Sequence, residues 1–261
     1  ASISAKYDVS ITGTVKSGEV SISSETGGII INSVYKAISN ARTSVSLSAP
    51  LGDVNLRTSN MYDNIISGSG YALTVIAGET LDVQSANGIS GYGKADIKAQ
   101  SVRAAITGEG YAFVGGALSI SSPEGDNCTE VYVSGGGGRR NVLMASNLTV
   151  RADRVTVVSD ASAESAIRTT GDATIGDAGM IVGSISVGGV NNISENILRV
   201  DKNGGDVSTS GLNLKVAPEQ ITYYSAGSGY ALFTPAHDEN LDTLLLHGAV
   251  IETNANLDTP I

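Results

Sequence analysis

The sequence predicts an all-β fold, a single-stranded right-handed parallel β-helix (β-solenoid) made of stacked coils. The motif Gly-Tyr-Ala occurs three times, starting at Gly70, Gly110 and Gly229. Short runs that alternate apolar with small or polar residues, such as 81–83 and 118–120, follow the first two copies and end in Ser-rich turns. A repeat of two or three short strands cannot bury an apolar face by itself, so it must stack on its neighbours.

The composition favours a thin solenoid over a globular sandwich. The 261 residues include 32 Gly but only 2 Phe and no Trp, and 16% of the residues are charged. A sandwich of this size normally places several large aromatic rings in its core, whereas stacked Val, Ile, Leu and Ala fill a narrow coil without them.

Residues 1–34 are predicted to form short strands with alternating apolar positions, at 7–11, 20–23 and 29–31. From residue 37 onward, coils are predicted to start at Ala37, Ile65, Gly88 and Ala105, which are 28, 23 and 17 residues apart. The coils therefore have irregular lengths of about 17–28 residues, which is typical of large parallel β-helices rather than of strict short repeats.

A single β-helix domain is predicted over 1–261, because no linker divides the chain and the coil pattern lies on both sides of the most Gly-rich segment. The ends, 1–34 and 190–261, are less regular. A protruding loop is predicted near 123–140, where Pro123 and the four consecutive glycines at 135–138 weaken strand propensity.

The charge and the cysteine content exclude several classes of protein. The formal charge of −10 argues against sequence-independent nucleic-acid binding, which needs clustered Lys and Arg. Cys128 is the single cysteine, so no disulfide forms within the chain. No segment approaches the ~20 consecutive apolar residues of a membrane span. Low charge and Gly, Ser and Thr richness predict an exported protein, whose leader is absent from this chain.

The coil opening at 166–175, Ala-Ile-Arg-Thr-Thr-Gly-Asp-Ala-Thr-Ile, resembles that of secreted bacterial right-handed β-helix proteins of the pectin-binding and carbohydrate-binding-domain type. The resemblance covers residues 35–185 and extends to bacterial adhesin-type proteins with auto-transporter-like repeats. The resemblance implies a surface protein that binds carbohydrate. Asp-rich turns hold calcium in the carbohydrate-binding group, but the matching turns here, 69–71 and 109–111, contain few acidic residues.

The tyrosines of the repeat are the predicted ligand-binding residues. Tyr71, Tyr111 and Tyr230 occupy the same place in the Gly-Tyr-Ala motif, and Tyr92 also follows a turn glycine. Stacked coils would place such rings along one line. If the rings face outward, they form a strip suited to the faces of sugars; if they pack over the adjacent glycines, they are structural.

Two acidic segments are candidate calcium sites, because Ca²⁺ prefers six to eight oxygen ligands. One comprises Glu124, Asp126 and Asn127, and the other Asp238, Glu239 and Asp242. No other cofactor is predicted. The chain has two histidines and no nucleophile elbow, and the charges of Arg151, Asp153 and Arg154 are expected to face water.

The predicted function is therefore that of an exported bacterial surface protein, similar to an adhesin, which binds a polysaccharide, a surface glycan or a host or cell-wall surface. No nucleic acid and no inserted membrane segment are expected. A purely structural stalk of a larger surface protein is the first alternative. A polysaccharide-degrading β-helix enzyme, which would need clustered carboxylates or a base beside a cation, is the second.

Overall fold

The computed structural model describes residues 1–60, 63–107, 110–135, 140–159, 165–176, 180–182, 185–193, 198–200, 222–224, 230–234 and 243–247. The chain divides into two compact units, Ala1–Arg199 and Val200–Ile261. All regular structure in the described residues is β-strand, which confirms the predicted all-β class.

The strands of the first unit are β1 (Ser2–Ala5), β2 (Val9–Thr12), β3 (Val15–Lys16), β4 (Glu19–Ser24), β5 (Ile29–Ser33), β6 (Ile38–Ala41), β7 (Ser44–Ala49), β8 (Val54–Thr58), β9 (Asn64–Ser85), β10 (Asn87–Ile106), β11 (Phe113–Ser121), β12 (Glu130–Gly135), β13 (Asn141–Ala145), β14 (Leu148–Val150), β15 (Val155–Ser159), β16 (Ser165–Thr169), β17 (Ala173–Ile175), β18 (Met180–Val182), β19 (Ile185–Val187), β20 (Asn191–Ile193) and β21 (Leu198–Val200).

These strands stack in three columns, and the pairings within them are parallel. The first column is β1, β4, β7, β9, β10, β11, β14, β17 and β20. The second is β2, β5, β8, β9, β10, β12, β15, β18 and β21. The third is β3, β6, β9, β10, β11, β13, β16 and β19. β9 and β10 bend around the corners and so belong to all three. The predicted parallel β-solenoid is confirmed.

The coil length varies, as predicted. In the first column Leu118 pairs with Leu148, 30 residues later, and Ala173 pairs with Asn191, 18 residues later. The predicted coil starts at Ala37, Ile65 and Gly88 do stack, since Ile38 pairs with Ile66 and Ile66 with Ile89. The predicted start at Ala105 is wrong.

The position that continues this stack is Ala112, because Phe113 pairs with Ile89. Ala105 instead pairs with Gln84 in the second column. Both places carry a small residue followed by an apolar one, so composition alone did not distinguish them.

The core is a set of parallel apolar columns inside the coils. One of them runs through the first column of strands and comprises Ile22, Leu47, Val75, Ile97, Ile120, Val150 and Ile175, each at most 1% exposed. The alternation of buried and exposed residues along β7, β9 and β10 directs every second side chain into this core. Each methylene group that is buried in this way contributes about 0.8 kcal/mol.

Asx side chains at the corners hold each coil to the next. Each accepts a hydrogen bond at Oδ1 from a backbone N–H on a neighbouring coil. The bonds are Gly28 to Asp8 (2.7 Å), Thr80 to Asp53 (2.8 Å), Asp172 to Asn147 (2.9 Å) and Val190 to Asp172 (2.8 Å).

The loop predicted over 123–140 is much shorter in the structure. Glu130–Gly135 forms β12, which pairs with β10 on one side and β15 on the other. The alternation at 131–133 therefore prevails over the nearby glycines. Cys128, expected in this loop, is fully buried at a corner and pairs with Ala152. A turn at 122–127 remains on the surface, and residues 136–139 lie outside the described residues.

The second unit differs from the prediction of one β-helix over 1–261. Its described strands are β22 (Thr222–Tyr224), β23 (Tyr230–Thr234) and β24 (Thr243–His247), which pair antiparallel. Only eight residues separate β23 from β24, and a short connection joins antiparallel neighbours, whereas parallel neighbours need a longer crossover.

Candidate functional site

Tyr71 and Tyr92 lie on neighbouring coils and pair directly, so the predicted alignment of these two tyrosines is confirmed. Of the two alternatives for their orientation, the structure shows packing and not an outward strip. Tyr71 is 0% exposed and Tyr92 is 2% exposed, which places both rings inside the solenoid. The Tyr71 hydroxyl donates a hydrogen bond to the carbonyl of Ser90 at 3.1 Å.

Glycines leave the space that these two rings fill. A Cβ added to Gly68 would lie 2.7 Å from the Tyr71 ring, and one added to Gly115 would lie 2.7 Å from the Tyr92 ring. Burial raises the pKa of both phenols above its ordinary value, and the neighbouring Tyr71 raises that of Tyr92 further. The rings are thus neutral packing elements, which is the structural alternative for this motif.

Tyr111 does not share the position of Tyr71 and Tyr92. Its carbonyl accepts a hydrogen bond from Gly88 N, whereas the residue that pairs with Tyr92 is Gly115. Tyr111 is half-buried at a different corner, with the guanidinium carbon of Arg140 5.6 Å from its ring centroid. The shared motif thus does not mark a shared position in the coil.

The other predicted site residues belong to the second unit. Tyr230 begins β23, and its backbone pairs with that of His247. Asp238, Glu239 and Asp242 lie outside the described residues.

An outward-facing row on the second column contains the tyrosine best placed to contact a ligand. Its members are Asn55, Asp82, Arg103 and Tyr132, which pair in that order on successive coils and which we call the Tyr132 row. Tyr132 lies between Val131 and Val133, which are at most 1% exposed, so its half-buried ring projects to the outside.

Arg103 lies over the Tyr132 ring, with 5.9 Å between the guanidinium carbon and the ring centroid. On the next coil Tyr132 pairs with Thr156, which is buried. The cation–π contact with Arg103 therefore holds a ring that is partly exposed on the outer side of β12.

Asp82 brings an oriented carboxylate to the same row. Its Oδ2 accepts hydrogen bonds from Gln84 Nε2 at 2.7 Å and from Arg57 Nη2 at 3.5 Å. Its Oδ1 is buried and has no partner among the described residues.

A shallow groove of about 730 Å³ lies at the adjacent corner, beneath the turn at 122–127. Two hydrogen bonds fix it, from Asn127 Nδ2 to Asp153 Oδ1 at 3.1 Å and from Arg151 Nη1 to the Gly125 carbonyl at 3.2 Å. We call it the corner groove; it is lined by Asp126, Asn127, Val150, Arg151, Asp153, Thr174 and Gly176. The calcium candidates Asp126 and Asn127 thus belong to a mixed polar surface.

No group of three or more His, Cys, Asp or Glu side chains that could hold a metal occurs among the described residues. The part of the chain that the structure describes also contains no helix able to cross a membrane. The Tyr132 row and the corner groove together offer a partly exposed tyrosine ring with hydrogen-bond donors and acceptors nearby.

The sequence prediction did not select Tyr132, although its signal was present. In Val131-Tyr132-Val133 the valines alternate with a tyrosine, and period-2 alternation places that tyrosine on the face opposite the core. The first Gly-Tyr-Ala copy instead contains a tyrosine, Tyr71, that packs in the core.

Comparisons with protein-family models, with curated proteins and with solved structures found no match. The structure itself defines the class of the first unit, which is a parallel β-solenoid.

Proposed function

We propose that this protein is an exported bacterial surface protein that binds a polysaccharide or surface glycan, and that the Tyr132 row is the binding surface. The observation that carries the proposal is the half-buried Tyr132 ring, held by Arg103 on a flat outer face. A sugar ring has an apolar face of C–H groups that stacks on such a ring, and hydroxyls that pair with adjacent polar groups.

The polar groups of the row match those hydroxyls. Asn55 and Asp82 lie on the coils that precede Arg103, and sugar hydroxyls both donate and accept. Neighbouring strands are about 4.8 Å apart, so the four side chains extend over roughly 15 Å. An extended chain of several sugar units fits this length better than a single sugar.

The affinity of each contact is small. Aromatic contacts contribute about 0.5–1.5 kcal/mol beyond the buried area, whereas millimolar binding requires about −4 kcal/mol. Several sugar units must therefore bind together, and a repetitive polysaccharide meets this condition. Location on strands supports the proposal as well, because strands hold side chains more rigidly than loops do.

Affinity electrophoresis through gels that contain single polysaccharides, together with a glycan array, tests the proposal. We expect the parent protein to be retarded by at least one polysaccharide and Tyr132→Ala to lose that retardation. Tyr132→Phe, which keeps the ring, should retain most of it. Tyr35→Ala is the matched control, because Tyr35 is 60% exposed on another corner and its removal should change nothing.

A structural stalk is the second candidate, and the continuous parallel stacking of the first unit favours it. If the parent protein binds no glycan, or if Tyr132→Ala binds as well as the parent, the stalk becomes the better account. Release of reducing sugars or unsaturated products from a bound polysaccharide would instead identify an enzyme.

A further inference from the structure

The corner groove adjoins the Tyr132 row through a series of contacts between neighbouring residues. Glu130 precedes Tyr132 by two residues on the same side of β12 and pairs with Arg154 of the next coil at 3.7 Å. Arg154 follows Asp153, which accepts the hydrogen bond of Asn127 in the groove. Two residues of a strand span about 7 Å, so a chain stacked on Tyr132 reaches the groove within a few sugar units.

The groove presents negative charge to such a chain. The carboxylates of Asp126 and Asp153 line it, and both residues are exposed. Arg154 pairs with Glu130, whereas Arg151, which lines the groove and donates to the neutral Gly125 carbonyl, keeps its positive charge. The charged side chains that line the groove are thus two carboxylates and one guanidinium, with a net charge of −1.

We propose that the bound polysaccharide runs from the Tyr132 row into the corner groove, where the Asp126 and Asp153 carboxylates select neutral chains and exclude polyuronates. This inference rests on the proposed function. The carboxylates accept hydrogen bonds from the hydroxyls of a neutral chain. A carboxylate on each unit of a polyuronate instead meets like charges, and one such contact at about 4 Å in water weakens binding roughly five-fold.

Matched pairs of polysaccharides with related backbones test the selection. In the first pair, neutral hydroxyethylcellulose is compared with charged carboxymethylcellulose, which has the same glucan backbone. In the other two pairs, galactan is compared with polygalacturonate, and mannan with polymannuronate. We expect retardation by at least one neutral chain and at least ten-fold weaker retardation by its charged counterpart. The difference should shrink when salt rises from about 10 mM to about 1 M, because the Debye length falls from about 30 Å to about 3 Å.

The variant D126N/D153N removes the charges and keeps side-chain acceptors, including one for Asn127. It should bind the charged counterpart at least five-fold more tightly than the parent does. The control E25Q/E79Q removes the same two units of charge from exposed positions on earlier coils and should leave the selectivity unchanged.

The outcomes separate this inference from the proposed function. Binding that depends on Tyr132 but is equal for neutral and charged chains, or stronger for polyuronates, overturns the selection and leaves the Tyr132 surface in place. The selection is also overturned if D126N/D153N prefers neutral chains as strongly as the parent does. It is overturned as well if the control E25Q/E79Q loses as much of this preference as D126N/D153N. Retardation by none of the chains overturns both.

Discussion

The buried pair of tyrosines allows a test in which two chemically identical changes should have opposite effects. Tyr71 and Tyr92 are both at most 2% exposed and lie on adjacent coils. The Tyr71 hydroxyl donates to Ser90 O at 3.1 Å, whereas the Tyr92 hydroxyl is buried without a partner among the described residues. Tyr→Phe keeps the ring and its packing, so each variant reports on one hydroxyl.

The expected magnitudes follow from these two environments. Tyr71→Phe removes a hydrogen bond of about 1 kcal/mol and should lower the free energy of unfolding by that amount. Tyr92→Phe removes a desolvated hydroxyl whose burial costs about 1–3 kcal/mol, and so should raise the free energy of unfolding by about 1 kcal/mol or more. The two variants should therefore differ by roughly 2 kcal/mol.

Equilibrium unfolding in guanidinium chloride, followed by far-ultraviolet circular dichroism, measures this difference. With a slope of about 4 kcal/mol/M, 2 kcal/mol corresponds to a midpoint difference of roughly 0.5 M. Tyr35→Phe is the control, because Tyr35 is 60% exposed and its midpoint should equal that of the parent.

Equal midpoints for the two core variants would refute the reasoning, since they would show that both hydroxyls have the same environment. A lower midpoint for Tyr92→Phe would show that its hydroxyl has a partner. If the outward strip of tyrosines were correct after all, neither change would alter stability.

Three further predictions concern the same coils. Burial raises the folded-state pKa of Tyr71 and Tyr92 above the ordinary value of 10.0. The stability that these neutral phenols contribute is therefore fully present below pH 10 and is lost as the pH rises above it. The free energy of unfolding should fall in alkali, and it should fall less steeply in either Phe variant. Burial raises the pKa of the Cys128 thiol to about 11, so a thiol reagent at pH 8 should label the native protein slowly and the denatured protein with one equivalent; fast labelling of the native state would contradict the burial. Gly70 and Gly91 both have positive φ, +67° and +79°, but an added Cβ meets nothing at Gly70 and lies 2.1 Å from Gly68 O at Gly91. Gly70→Ala should cost about 1 kcal/mol of stability and Gly91→Ala distinctly more, and equal losses in thermal unfolding would disprove the close approach.

Much of the first unit could be predicted from residue patterns. Runs such as Leu81-Asp82-Val83 alternate one residue in and one out, and this alternation is a local property of any strand. Such runs recur between turn residues without large aromatics, so the only way to bury their apolar sides is to stack one coil on another. Strand class, parallel stacking and irregular coil length all followed from that requirement.

The candidate site could not be predicted in the same way, because alternation does not continue through a corner. Between the pairs Tyr71–Tyr92 and Ala72–Lys94 the first coil has no intervening residue, whereas the next coil has one, Gly93. Each such irregularity resets which side chains face the core, since a shift of one residue reverses the face.

What the sequence by itself determined about this protein is thus the repeating strand and its need for stacked neighbours. Only the tertiary structure decided that the repeated tyrosines Tyr71 and Tyr92 pack inside and that Tyr132 faces out beside Arg103. The physical reason is that the direction of a side chain at a corner depends on the register between coils, and that register is set by the lengths of turns that carry no periodic signal of their own.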